Sequence, residues 1–302
     1  MIPPQPVVMN RFTIKDIENL SGIKAHTLRI WEQRYGLICP ARTGTNIRYY
    51  DNNDLKKILR IALLNRLGYK ISRISQMRDT DIQELIAALQ DKSMQTEFSV
   101  HELIGAMVDM DLPRFESIID ACIAQHGIGD TASRLFWLFF DRVGILWLTG
   151  NINPAQEHLT SNIIRQKLLA GINALPHPVL ARAPFMLYLP EGELHEMGLL
   201  YVYFLLRQRG IPVVYLGANI PFEDVKFVYR HYRPADVYIH LTSVLPDFDV
   251  PRFLAEVSGS FAQARIHLSG KMLQHAVADA FDNIHMLRSF DELAQFVNGL
   301  TV

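Results

Sequence analysis

Three sets of side chains in this 302-residue chain stand close enough together to do chemistry. The first is a run of bases: residues 1–78 hold 14 of the 30 lysines and arginines against 5 acids, a net charge of +9. Such a density of cations suits a polyanion, while the remainder, net −10, should stay off one. The second set is Glu193-x-His195-x-x-Gly198 directly after an apolar run, with Ser243-x-Leu245 and Ser269-Gly270 after two later runs. The third is Trp147, followed after nine residues by Glu157-His158. Each also has an ordinary structural counterpart: a solvated basic surface, a histidine that starts a helix, a core tryptophan, and a glutamate favouring the positive end of a helix. Cys39 and Cys122 share no CxxC or Cys/His spacing, so neither a disulfide framework nor a zinc site is suggested.

Three kinds of element must position these groups. Residues 12–20 put Ile14, Ile17 and Leu20 on one helical face, with Thr13 and Asp16 spaced as a capping box. A Gly-containing turn, SGIK, leads to a second short helix at 24–35 that ends at Gly36, and the pair reads as helix-turn-helix. CPARTGTNIRYY then reads as a small β-hairpin wing, and Asp51 as the N-cap of a helix running to Gly68. Helical stretches at 81–94, 99–109, 113–125, 129–149 and 154–174 predict an antiparallel bundle. The run 135–148 is apolar nearly all round, as a central helix or a surface waiting for a ligand would be.

After Pro176-His-Pro178 the period changes. Apolar runs at 184–190, 211–217, 235–241 and 264–270 alternate with helical stretches at 195–209, 221–232, 249–262 and 271–282, and 283–287 with 290–300 adds a fifth unit. That alternation predicts a doubly wound parallel sheet, whose ligands sit beyond the carboxyl ends of the strands. The expected fold is multidomain: an α winged helix-turn-helix head at 1–80, a four-helix bundle at 81–176, and a Rossmann-like, flavodoxin-like α/β domain at 177–302.

The segment FTIKDIENLSGIKAHTLRIWEQRYGL with the wing ARTGTNIRYYDNNDL resembles the MerR family of transcriptional regulators over about residues 11–78. The resemblance implies that the second helix enters the major groove of operator DNA with Lys24, His26, Thr27 and Arg29 on or near its exposed face. Arg42, Arg48 and Tyr49 of the wing would reach phosphates and the groove edge. Leu28, Ile30 and Trp31 are expected to pack the domain, and Arg29 has an alternative partner in Glu32.

EGELHEMG, SVL and SG, each after a strand, are similar to the cobalamin-binding pattern Asp-x-His-x-x-Gly, Ser-x-Leu, Gly-Gly, with Glu193 in place of Asp and Ser269 in place of the first Gly. The resemblance implies that His195 is the lower cobalt ligand, that Glu193 supports its second nitrogen, and that Gly198, Ser243, Leu245, Ser269 and Gly270 line a slot for the nucleotide tail. Trp147 with Glu157-His158 matches the Trp-x9-Glu-His pattern of the bundle that caps the upper face of cobalamin in the light-responsive regulators of the CarA, CarH and LitR group. That group places a cobalt-ligating histidine directly after the tryptophan; here the position is Leu148, so either another residue such as His158 takes the role or the photoproduct lacks that ligand.

Together these resemblances imply a regulator, most simply a repressor and not an enzyme, that responds to adenosylcobalamin. Its expected partners are double-stranded operator DNA, further copies of itself as a dimer or tetramer, and RNA polymerase or an anti-repressor protein. Two alternatives carry weight: a MerR-type regulator with a degenerate cobalamin domain that acts through a protein partner, and a cobalamin-dependent methyltransferase or mutase subunit. No apolar run approaches the ~18–20 residues of a membrane span, and the N-terminus lacks a signal-like h-region, so no membrane partner and a cytoplasmic location are expected.

Overall fold

The computed structural model describes residues 10–87, 91–148, 150, 152–178, 183–243, 248–273 and 281–300. The chain divides into two compact units, Met1–Ile164 and Arg165–Val302.

The first unit opens with α1 (Ile14–Ser21), which starts where Thr13 and Asp16 close a reciprocal capping box and stops where Gly22 takes φ 72°. Helix α2 (Ala25–Tyr35) follows and ends on Gly36 in the same left-handed conformation. The wing strands β1 (Ala41–Arg42) and β2 (Arg48–Tyr49) pair antiparallel. The wing is fastened by reciprocal backbone hydrogen bonds between Phe12 and Tyr50, both buried. Asp51 and Asp54 form a second capping box at the start of α3 (Asn52–Arg66), which leads to α4 (Ile71–Ile74) and α5 (Asp79–Ala87).

The bundle helices are α6 (Lys92–Val108), α7 (Leu112–Thr131), α8 (Trp137–Leu148) and α9 (Pro154–Asn173), the last of which continues into the second unit. One boundary differs from the expected ones. Asp91 accepts from the Ser93 and Met94 amides, so α6 begins at Lys92 and runs unbroken through the expected gap between 94 and 99. At Gly127 the backbone leaves helical geometry (φ 78°, ψ 161°), where the sequence predicts a break between 113–125 and 129–149, and a π-turn over Ala132–Phe136 joins the segment that follows to α8. Helix α3 of the head lies on α6: Arg60 pairs with Glu102 at 3.1 Å, Lys56 with Asp109 and Arg66 with Glu97, and Asn52 donates to the Val108 carbonyl at 3.0 Å.

The second unit is built on a parallel sheet of β3 (Phe185–Pro190), β4 (Val213–Ile220), β5 (Asp236–His240), β6 (Arg265–Ser269) and β7 (Ile284–Leu287) in the order β4-β3-β5-β6-β7. This is the flavodoxin-like order, with its switch point between β3 and β5. Both central strands are buried along their whole length, which is why they read as continuous apolar runs rather than alternating ones. Helices α10 (Met197–Gln208), α11 (Phe222–Tyr232) and α12 (Val250–Ser260) make crossovers between successive strands, and α13 (Phe290–Gly299) follows β7. Ile239, Leu241, Val257, Phe261, Ile266 and Leu268 belong to the core on one side of the sheet. Of the helix expected at 271–282, the described part is a 3-10 turn over Lys271–Leu273, and 274–280 lie outside the described residues.

Candidate functional site

At the switch point the chain leaves β3 and turns through Glu191-Gly192 to Glu193, a carboxylate with no solvent exposure. Its Oε1 accepts from the backbone N–H of His195 at 2.9 Å and from ring Nδ1 at 2.7 Å. Its Oε2 accepts from the amides of Thr242 and Ser243 just past β5, at 2.7 and 2.8 Å. Burial by itself would raise this carboxyl's pKa, but the four hydrogen bonds outweigh it and hold the group below the usual carboxylate range. Glu193 therefore remains an anion and ties the two strand ends together.

The same bond orients the imidazole. With Nδ1–H donating to Glu193, the lone pair of His195 resides on Nε2, the nitrogen a metal would take, and the ring is 57% exposed. The extra methylene of glutamate relative to aspartate still reaches hydrogen-bond distance. No group of three or more His, Cys, Asp and Glu side chains suited to a bare ion occurs among the described residues. One oriented imidazole fits a metal whose remaining positions come from a macrocycle, as the cobalt of cobalamin does.

The residues expected to line the tail slot behave differently. Gly198 stands against the ring of His240: a Cβ there would lie 2.4 Å from its Nε2. Gly270, at φ 114°, would place a Cβ 2.1 Å from the Leu241 carbonyl oxygen, so the backbone itself requires glycine at that position. The hydroxyl of Ser269 is engaged by Tyr238 and, at 2.7 Å, by Nδ1 of His240. Burial holds His240 neutral by lowering its pKa to about 4, against an opposing effect of Glu193. Ser243 is exposed and contributes its amide to Glu193, while Leu245 lies outside the described residues. The cobalt-facing residues thus fit the implied group, and the tail-facing ones do not.

Sequence reasoning missed the supports of the His195 loop. Asn219, at φ 60°, accepts from the Gly192 amide at 2.9 Å and donates its own amide to the Glu193 carbonyl at 3.1 Å. Asparagine is among the few residues that tolerate this backbone, and its place just before Ile220-Pro221 was the available signal. Glu196 accepts from Tyr215 at 2.6 Å and from Arg165 of α9 at 2.7 Å. Burial and that neighbouring carboxylate raise the Tyr215 pKa, keeping it a donor.

In the first unit, the run 135–148 buries Leu135 and Phe136 of the π-turn and Phe139, Val143 and Leu146 of α8, and leaves Trp147 58% exposed. The run is therefore a packed helix, as a central helix would be, with Trp147 exposed near its end. Glu157 Oε2 lies 3.0 Å from Nδ1 of His158, whose ring is largely exposed. Leu148 is the last residue of α8, and its side chain lies outside the described part of the structure.

On the head, Lys24, His26, Arg29 and Arg42 are exposed, and Thr27, Arg48 and Tyr49 partly so. Leu28 and Trp31 are buried as expected, whereas Ile30 is 50% exposed: the α2 face that carries Arg29 also carries this apolar side chain. Glu32 does not pair with Arg29. It accepts from Arg48 Nε at 3.0 Å and lies 4.0 Å from Arg42, linking wing to recognition helix. Lys24 pairs with Glu18, whose other oxygen accepts from the Ala25 amide and caps α2. Arg11 stacks over Tyr49, a wing contact that sequence reasoning missed.

Comparison with known proteins matches the head and the bundle. Residues 12–81 match the MerR HTH regulatory protein family, and residues 100–170 match a B12 binding domain. The chain is 30% identical over 234 residues to the HTH-type transcriptional repressor CarH of Myxococcus xanthus, covering 74% of this chain and 76% of that protein. It is 29% identical to the repressor CarA of the same organism over 73% of each. The monomethylamine corrinoid protein of Methanosarcina barkeri shares the fold, with a TM-score of 0.52 at 13% identity over 64% of this chain and 94% of that one. A winged helix-turn-helix head, a B12-binding region and this extent of shared sequence place the chain in the MerR-type regulator family of CarH, as a DNA-binding regulator with a cobalamin domain.

Proposed function

We propose that this chain represses transcription in a manner set by adenosylcobalamin. The observation that carries the reading is the Glu193–His195 pair, a carboxylate-oriented imidazole at the sheet's switch point, on the same chain as a winged helix-turn-helix. When bound, the cofactor supplies a cobalt–carbon bond that light can break. Glu193 holds His195 in the tautomer that ligates, and Trp147, Glu157 and His158 are the residues that would meet the adenosyl group. Lys24, His26, Thr27 and Arg29 read or contact operator DNA, with Arg42, Arg48 and Tyr49 of the wing on its phosphates.

Assembly into a dimer or tetramer multiplies the DNA contacts of single heads, so a modest coupling of ~1–3 kcal/mol between ligand and assembly suffices to switch occupancy. RNA polymerase or an anti-repressor protein is the further partner of such a regulator. Nothing in this reading requires turnover, and the protein works in the cytoplasm; among the described residues no helix is long and apolar enough to cross a membrane.

The test is operator affinity and oligomeric state of the whole protein with and without adenosylcobalamin, in the dark and after illumination. Tighter binding and larger assemblies in the dark with cofactor are expected; identical values in all conditions would sink the reading. The filled tail positions at His240 and Ser269 favour a second reading, a regulator that works without the cofactor through a protein partner. Purification with added cobalamin separates the two, since only the first retains a red protein with a visible absorption band.

A further inference from the structure

We infer that this chain holds a corrin ring without lodging the nucleotide tail in its sheet, so that a tail-free corrinoid binds at least as tightly as complete cobalamin. The inference rests on the cobalamin reading above and concerns which corrinoids the site accepts.

Two separate closures of the slot carry it. At Gly198 the space a tail would use beside the first turn of α10 is taken by the His240 ring, close enough that even a methyl group would overlap it. At Gly270 the glycine answers to the Leu241 carbonyl of the neighbouring strand end rather than to a ligand. Between them Tyr238, His240 and Ser269 are all buried and hydrogen-bonded to one another: His240 and Ser269 are paired neighbours across β5 and β6, and the Ser269 hydroxyl bonds to the Tyr238 hydroxyl and to Nδ1 of His240. An entering tail would have to displace the His240 ring, break its bond to Ser269, and leave buried polar atoms unpaired.

The chemistry of the ligand then sets the direction of the preference. The benzimidazole base of complete cobalamin occupies the lower cobalt position that His195 would take. A protein that offers no place for the freed tail gains nothing to offset the loss of that internal bond. Cobinamide, which ends before the nucleotide, has no competing base, and His195 meets an accessible lower face.

The test is equilibrium dialysis of the full-length protein against hydroxocobalamin and against diaquacobinamide, read by corrin absorbance. A Kd for cobinamide equal to or lower than that for hydroxocobalamin is expected. Hydroxocobalamin bound tighter by about tenfold or more overturns the inference. The variant His240→Ala opens the slot and should tighten hydroxocobalamin by about tenfold while leaving cobinamide unchanged; an equal change for both ligands removes His240 from the account. If the variant does not fold, the wild-type ratio still decides. Failure of the wild type to retain either corrinoid overturns the cobalamin reading itself, an outcome distinct from a preference for the tail.

Discussion

Glu193 is the residue on which the site turns, because four hydrogen bonds converge on a fully buried carboxylate. Glu193→Ala leaves two amides past β5 without their acceptor and frees the His195 ring. A hydrogen bond to a charged group contributes about 1.5–3 kcal/mol, so the variant should melt at lower temperature and retain corrinoid about 10–100-fold more weakly; a wild-type Kd measured by dialysis would refute the positioning role. Burial lowers the pKa of three histidines, His101, His240 and His267, and the first two shift far. His101 of α6 is held neutral by burial first and then by Arg66 and Arg142, which lower its pKa to about 3, although Glu97 lies 3.8 Å away. The His240 pKa falls to about 4. Both therefore bind a proton in the unfolded chain, near 6.5, before they do so in the folded one. Their contribution is complete above pH 6.5 and is lost as pH falls towards 3–4. Unfolding free energy should accordingly fall with acidification, by up to about 1.4 kcal/mol per pH unit for each proton. A His101→Leu variant should show a shallower dependence in denaturant titrations at pH 7 and pH 5.

At the scale of elements, the wing is a two-strand ribbon too short to hold itself, and its attachment comes from outside. Glu32 of α2 supplies one anchor through Arg48, and the Phe12–Tyr50 bridge another. Glu32→Gln distinguishes two roles for this carboxylate. If it only repelled DNA, its neutralisation would strengthen operator binding; as a tether for Arg48, its loss should weaken binding several-fold in a mobility-shift titration. Arg42, by contrast, is exposed and suited to a phosphate. Arg42→Ala should lower affinity and reduce the slope of log K against log salt by about 0.9. The helix starts at Thr13, Asp51 and Asp91 are local events, written in residues three apart or fewer. Thr13 and Asp51 were legible beforehand; Asp91 was overlooked because a helix was expected to run through it.

For the whole molecule, the division of charge into a basic head and an acidic remainder holds in outline, but not every base in the head is available to DNA. Lys56, Arg60 and Arg66 face Asp109, Glu102 and Glu97 of α6. They bind the head to the bundle within one compact unit. Arg60→Ala should leave the salt slope of operator binding unchanged and lower stability, by an amount between the ~1 kcal/mol of an exposed pair and the ~3 kcal/mol of a buried one. A salt slope reduced as much as in Arg42→Ala would return Arg60 to the DNA-facing set.

The sequence by itself determined whatever depends on near neighbours along the chain: capped helices, the glycine stops at Gly22 and Gly36, the strand spacing of the sheet, and the nearness of Glu193 to His195. Periodicity, capping and φ preferences act over a few residues, so they can be read in order. The tertiary structure alone decided what fills the space between distant segments. The second oxygen of Glu193 meets amides 49 and 50 residues away, Gly198 meets His240, and the bases of α3 meet the acids of α6. A glycine in a motif does not reveal whether its open side holds a ligand or a neighbouring side chain, because that depends on which strand the fold brings beside it. Here the fold brings β5, and His240 occupies the place that the motif left open.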